Sequence, residues 1–164
     1  LRTGVALTAR GGIKLVALKV KNFQSVMELR DMSGNRMAAK ILIVDDEKEF
    51  LDILAERLGV RGMDVSTATS AEDALQMIAE AMYDVVILDF MMPALDGFKA
   101  LKLLKQKRPE VQIILLTGNV PEQKYIEAKK LGALDVIEKP PDLNALIEKI
   151  KKAKKARPAG GRGK

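Results

Sequence analysis

Three apolar runs stand out along the chain: Ile41-Leu42-Ile43-Val44, Val85-Val86-Ile87-Leu88 and residues 111–116. Runs of four to six residues, rich in β-branched side chains and bounded by polar positions, predict strands buried on both faces of a sheet. Residues 65–69 and the pair Val136-Ile137 read as two shorter strands. Between these runs the apolar positions change to helical spacing. Phe50, Leu51, Leu54 and Leu58 share one face of a first helix, which stops near residues 59–62 where two glycines lie. Ser70 suits the N-cap of a second helix, with Asp73 three residues on, and Ala74, Leu75, Ile78 and Met82 form its predicted buried stripe.

Asp96-Gly97 turns the chain into a third helix through Leu101, Leu103 and Leu104. That helix ends at Arg108-Pro109, since the residue before a proline disfavours helical backbone. Pro121 fits the first turn of a fourth helix that runs to Leu131-Gly132. A fifth starts at Asp142 and carries Leu143, Leu146, Ile147 and Ile150. Five strand–helix alternations in about 115 residues predict an α/β fold with a parallel sheet and helices on both faces.

In such a sheet, chemistry collects at the carboxyl ends of the strands. The first strand delivers Asp45 and Asp46 there, the third Asp89, the fourth Thr117 and the fifth Lys139. Taken singly, each has a plain explanation: a helix cap, a turn aspartate, a strand-end threonine, a surface lysine. Arriving together at one rim, they point to a site. Three carboxylates at close quarters need a counter-charge, or one of them takes up a proton. A hard divalent cation with oxygen ligands meets that need, and Mg2+ suits one or two carboxylates with a backbone carbonyl and waters. An aspartate held beside Mg2+ and a lysine is placed to attack a phosphoryl group, giving an aspartyl phosphate.

Composition narrows the chemistry further. The 164 residues contain no cysteine and no histidine, which excludes disulfides, thiolate sites and imidazole bases from this chain. No apolar run is long enough to span a bilayer, so no membrane partner is expected. The net charge of +6 is unevenly spread. Residues 40–150 hold 14 Lys/Arg against 20 Asp/Glu, a net −6, whereas residues 1–39 add +5 and residues 151–164 add +7. An acidic body with two basic ends gives no footprint for nucleic acid, except weak, salt-sensitive attraction through the basic tail.

Asp45-Asp46-Glu47 after the first strand, Leu88-Asp89-Phe90-Met91-Met92-Pro93 with Asp96-Gly97, the strand ending in Thr117-Gly118, and Lys139-Pro140 together resemble the receiver domain of bacterial two-component response regulators. The match is nearest in kind to stand-alone receivers of the chemotaxis type and covers about residues 38–153. The resemblance implies a flavodoxin-like (βα)5 doubly wound sheet of strand order 2-1-3-4-5. It implies that Asp89 accepts a phosphoryl group from a sensor histidine kinase or a histidine phosphotransfer protein in the cytoplasm. Asp46, Asp89 and the backbone carbonyl of Met91 would ligate Mg2+, with Asp45 acting mainly through water. Lys139 would pair with the phosphoryl oxygens, and Thr117 would swing to bond one of them. Such a domain catalyses its own phosphorylation and dephosphorylation but is mainly a switch. Met91 and Asn119 resemble flanking positions that tune hydrolysis.

One departure from the family pattern concerns Val136. Many receivers carry Tyr or Phe three residues before the lysine, and valine is too small for that part. The signal is then expected to travel through the loop after Thr117 and the face of the fourth helix, to an output protein that the sequence does not identify.

The ends of the chain are read separately. Residues 1–37 are treated as an extension or linker, in which residues 13–21 fit a short strand or a marginal basic helix. Met37 is the expected natural start, and Lys14 and Lys19 interrupt the apolar stretch that a signal peptide would need. Residues 154–164 have nothing to bury and are expected to be disordered. Two other functions compete with a stand-alone receiver. One is an N-terminal fragment of a DNA-binding transcriptional response regulator, although no helix-turn-helix pattern is present. The other is a haloacid-dehalogenase-like phosphatase, which needs an acid where Met91 stands.

Overall fold

The apolar runs form the core strands, and the segments between them form helices, as the periodicity predicts. A computed structural model describes residues 38–156. The strands are β1 (Lys40–Val44), β2 (Asp64–Ala68), β3 (Val85–Asp89), β4 (Gln112–Thr117) and β5 (Asp135–Glu138). The helices are α1 (Lys48–Gly59), α2 (Ala71–Glu80), α3 (Gly97–Lys107), α4 (Glu122–Lys130) and α5 (Leu143–Ala156). All pairings are parallel, in the order β2-β1-β3-β4-β5. This is the flavodoxin-like arrangement expected from the sequence.

The sheet divides the core in two. Leu42, Val44, Val86, Leu88, Ile113 and Leu115 pack on one face with buried residues of α2, α3 and α4. Ile41, Ile43, Val85, Ile87, Ile114 and Leu116 pack on the other with α1 and α5. Successive strand residues point to opposite faces, so an uninterrupted apolar run feeds both layers.

Local signals in the sequence act where expected. Ser70 Oγ accepts the Asp73 N–H at 3.1 Å, and Asp96 Oδ1 accepts the N–H of Phe98 at 2.8 Å and of Lys99 at 3.3 Å. The turn after α1 carries Gly62 at φ +81°, a left-handed conformation that glycine adopts without steric cost.

Three expectations need correction. Met82 is not part of the buried stripe of α2, because the helix ends at Glu80 and the extended backbone at Ala81 leaves Met82 exposed. Pro121 takes the N-cap position of α4 rather than its first turn. Helix α5 continues to Ala156, so residues 154–156 are helical rather than disordered. Ala153 extends the buried stripe of Leu146, Ile147 and Ile150, which anchors the last turn. The expectations for residues 1–37 and for the remainder of the tail lie outside the described residues. Among the described residues, no helix is long and apolar enough to cross a membrane.

Candidate functional site

Three strand ends converge on one rim of the sheet. β1 runs directly into Asp45 and Asp46, β3 ends at Asp89, and β4 ends at Thr117. Lys139 follows β5, and its N–H donates to the Thr117 carbonyl at 2.8 Å, which holds the last two strand ends in register. The Asp45 N–H donates to the Ala68 carbonyl at 3.1 Å, and that of Phe90 to the Leu116 carbonyl at 2.7 Å. The ladder thus continues past the strands and fixes the backbone beneath the acids.

Asp45, Asp46 and Asp89 each offer a carboxylate oxygen, and the three oxygens lie within 4.8 Å of one another. Asp45 and Asp89 are buried at 1% and 4% exposure, whereas Asp46 is exposed. The buried pair is oriented by its own backbone: Asp45 Oδ1 accepts the Glu47 N–H at 2.9 Å, and Asp89 Oδ1 accepts the Met91 N–H at 3.1 Å. Their Oδ2 atoms are left to face a common centre. Lys139 Nζ reaches that centre, 2.5 Å from Asp45 Oδ2 and 3.4 Å from Asp89 Oδ2. Glu47 Oε1 is a more distant neighbour at 3.9 Å.

The electrostatics follow from this crowding. Burial pushes the Asp89 carboxyl above the usual carboxylate range, and the charge on Asp45 adds to that. The Met91 N–H and the Lys139 ammonium oppose the rise without cancelling it. For Lys139, burial favours the neutral amine, but the hydrogen bond to Asp45 and the charges of Asp89 and Asp45 outweigh it. The net effect holds the ammonium above its ordinary value. One cation against three carboxylates leaves an excess of negative charge. Clustered hard oxygen donors with excess negative charge are the donor chemistry that a divalent cation such as Mg2+ takes.

Thr117 is buried, and its Oγ1 donates to the Asn119 carbonyl at 3.1 Å. Val136 lies on β5 opposite Leu115 of β4 and is partly buried. Met91 is exposed. The five residues expected at the strand ends, Asp45, Asp46, Asp89, Thr117 and Lys139, are therefore brought to the same rim.

Periodicity missed two aromatic neighbours. Phe50 fits the core stripe of α1, yet its ring centroid also lies 4.6 Å from Lys139 Nζ. Its signal was position: it sits in the first turn of a helix that begins beside the acids, where a ring meets the cation. Phe90 directly follows Asp89, and its ring packs edge-on against Phe98 at 4.8 Å with 72° between the planes.

Residues 41–151 match the family model described as the response regulator receiver domain. Among solved structures, a response regulator receiver domain protein from Clostridium thermocellum is 35% identical, with a TM-score of 0.67, over 71% of this chain and 94% of that one. The receiver domain of the Francisella response regulator 1452 is 31% identical at a TM-score of 0.67, over 71% of this chain and 97% of that chain. NtrX from Brucella abortus is 33% identical at a TM-score of 0.68, but the match covers 74% of this chain and only 28% of the NtrX chain. With its five parallel strands in the expected order and its family match across the rim that carries the acids, the chain belongs to the response regulator receiver domains of two-component systems.

Proposed function

We propose that this domain accepts a phosphoryl group on Asp89 from a phosphohistidine of a sensor kinase or phosphotransfer protein. The donor's P–N bond breaks as a P–O bond forms to an Asp89 carboxylate oxygen. The electron pair of the broken bond stays on the imidazole nitrogen. The observation that best supports this reading is the meeting of Lys139 with both Asp45 and Asp89 on a rim that also holds Asp46.

Asp46, Asp89 and the Met91 carbonyl are the groups that would hold Mg2+, with Asp45 acting mainly through water. When bound, Mg2+ supplies positive charge against the phosphoryl oxygens. The remaining work falls to the chain itself. Lys139 carries the mobile cation that would follow the incoming phosphoryl oxygens, a preorganised charge in a partly buried site. Thr117 would give up its bond to Asn119 and donate to one of those oxygens. The buried Asp45 holds Lys139 at the rim before transfer. Signalling then proceeds by altered contact with an output protein, a two-state change biased by the new phosphate contacts.

Incubation with acetyl phosphate and Mg2+, read by intact mass, tests the assignment. The wild type is expected to gain one phosphoryl group. Asp89→Asn, or the wild type without the metal, is expected to gain none. Undiminished labelling of Asp89→Asn would refute it.

A second reading is favoured by the NtrX comparison, in which the matched part is a fraction of a longer chain. Under it, phosphorylation of Asp89 controls an attached DNA-binding output domain. Specific DNA binding by the natural full-length product, altered by acetyl phosphate, would select this alternative.

A further inference from the structure

Val136 leaves the face of β5 without the ring that many receivers carry there, and neighbouring side chains close most of the space. A cavity lined by Phe90, Thr117, Asn119, Lys124 and Val136, among others, leaves only about 10 Å³ for the centre of a water molecule. That is room for about one water. The aromatic residue lining this cavity is Phe90.

Phe90 meets both α3 and α4. Its backbone is fixed by the bond to the Leu116 carbonyl, so only the side chain is free to turn. The ring lies directly on Gly97, where a Cβ would fall 2.3 Å from Phe90 Cδ2. It packs edge-on against Phe98 of α3, and Lys124 Nζ of α4 sits 5.5 Å from its centroid. The last contact matters because Ala128 is the one buried residue of α4, so the cation over the ring is a second point of attachment for that helix. The other tether of this region is the bond from Thr117 Oγ1 to the Asn119 carbonyl, in the loop that leads to α4. The residues of both tethers line the same cavity, and Phe90 directly follows Asp89.

We propose that Phe90 is the aromatic group that couples the state of Asp89 to α4, in the role that Val136 is too small to play. The proposal rests on the reading of Asp89 as the phosphoryl acceptor. Movement of Thr117 toward a phosphoryl oxygen releases Asn119 and widens the cavity beside Phe90. The ring turns into that space, its contact with Lys124 is lost, and α4 shifts with the exposed Tyr125 and Ile126 on its surface. The chain has four phenylalanines, so each is resolvable as a separate probe.

The test uses the full chain labelled with fluorophenylalanine, with acetyl phosphate and Mg2+ added and intact mass recorded on the same sample. The Phe90 resonance, identified by its loss in Phe90→Leu, is expected to shift as one phosphoryl group is gained. Hydrogen exchange of residues 121–131 is expected to rise several-fold in parallel. Phe90→Leu should still gain the phosphoryl group but lose that rise. Lys124→Ala, an exposed substitution that leaves the core intact, should show fast α4 exchange before any phosphodonor is added. A Phe90 signal that stays put in fully phosphorylated protein overturns the coupling. So does an unchanged rise in exchange in Phe90→Leu. Absence of any mass gain in the wild type instead overturns the reading of Asp89, and the coupling falls with it.

Discussion

The ammonium of Lys139 and the carboxylate of Asp45 meet at 2.5 Å although 94 residues separate them in the chain. Asp45 is almost fully buried, and Asp46 and Asp89 lie beside it. Lys139→Met would leave the three carboxylates without the one cation that pairs with them among the described residues. Breaking a buried pair costs about 3–5 kcal/mol, and the partial exposure of Lys139 lowers the expectation to about 2–3 kcal/mol. Mg2+ should restore much of this loss. Urea unfolding in chelator and in Mg2+ measures both effects, and an equal loss in the two conditions would contradict the site.

Asp89 is held above the usual carboxylate range, first by burial and then by Asp45. A raised folded value means a contribution that is fully present below the unfolded value near 3.8 and lost as pH rises through the folded value. At neutral pH, ionised Asp89 therefore costs stability. Asp89→Asn should be more stable than the wild type at pH 7 in chelator, and the gap should close in acid. Thermal melts across pH would detect it. A variant less stable at pH 7 would reverse the sign and refute the account.

At the start of β5, the end away from Lys139, Asp135 pairs with Lys149 of α5. Burial pushes Asp135 up, but the hydrogen bond from Lys149, the Val136 N–H and the charges of Lys149 and Lys129 pull it below its ordinary 3.8. Here the contribution is present above 3.8 and lost as pH falls through the depressed folded value. Solvent reaches Lys149, so Asp135→Asn should cost only about 0.5–1 kcal/mol at pH 7. The difference should vanish well below pH 3.8, as read by denaturant titrations at both pH values.

Arg108 closes the end of another helix. Its Nε donates to the Ile78 carbonyl at 2.9 Å and its Nη2 to the Ala79 carbonyl at 3.2 Å, both in the last turn of α2. Arg108→Ala should destabilise the fold by about 1–2 kcal/mol. Lysine offers a point charge without the planar fork, so Arg108→Lys should recover only part of the loss. Full recovery in chemical denaturation would show that charge alone suffices there.

The strand-end residues were legible because a parallel sheet gathers the carboxyl ends of its strands, so position after an apolar run locates a side chain. That position locates Asp45, Asp46, Asp89, Thr117 and Lys139. Met82 fits the helical spacing because it stands four residues after Ile78, and neither glycine nor proline marks the helix end before it. Phe50 shows a different limit: its spacing fits the α1 stripe, and periodicity cannot register that the ring also faces an ammonium brought from position 139. The reach of Arg108 to carbonyls about 30 residues away was equally silent, since backbone acceptors have no sequence signature. Leu75 and Leu103 follow the helical pattern, yet they are only partly buried and line a groove between α2 and α3.

The two-layered core makes β4 a two-sided target for mutagenesis. Ile113 and Leu115 belong beneath α2, α3 and α4, whereas Ile114 and Leu116 belong beneath α1 and α5. Side chains on opposite faces share few partners, so losses at neighbouring positions should add. Truncations along this strand should consequently sort by the parity of the residue number. Odd positions lie in the layer that contains Phe90 and α4 and should alter signalling as well as melting temperature. Even positions should lower the melting temperature alone.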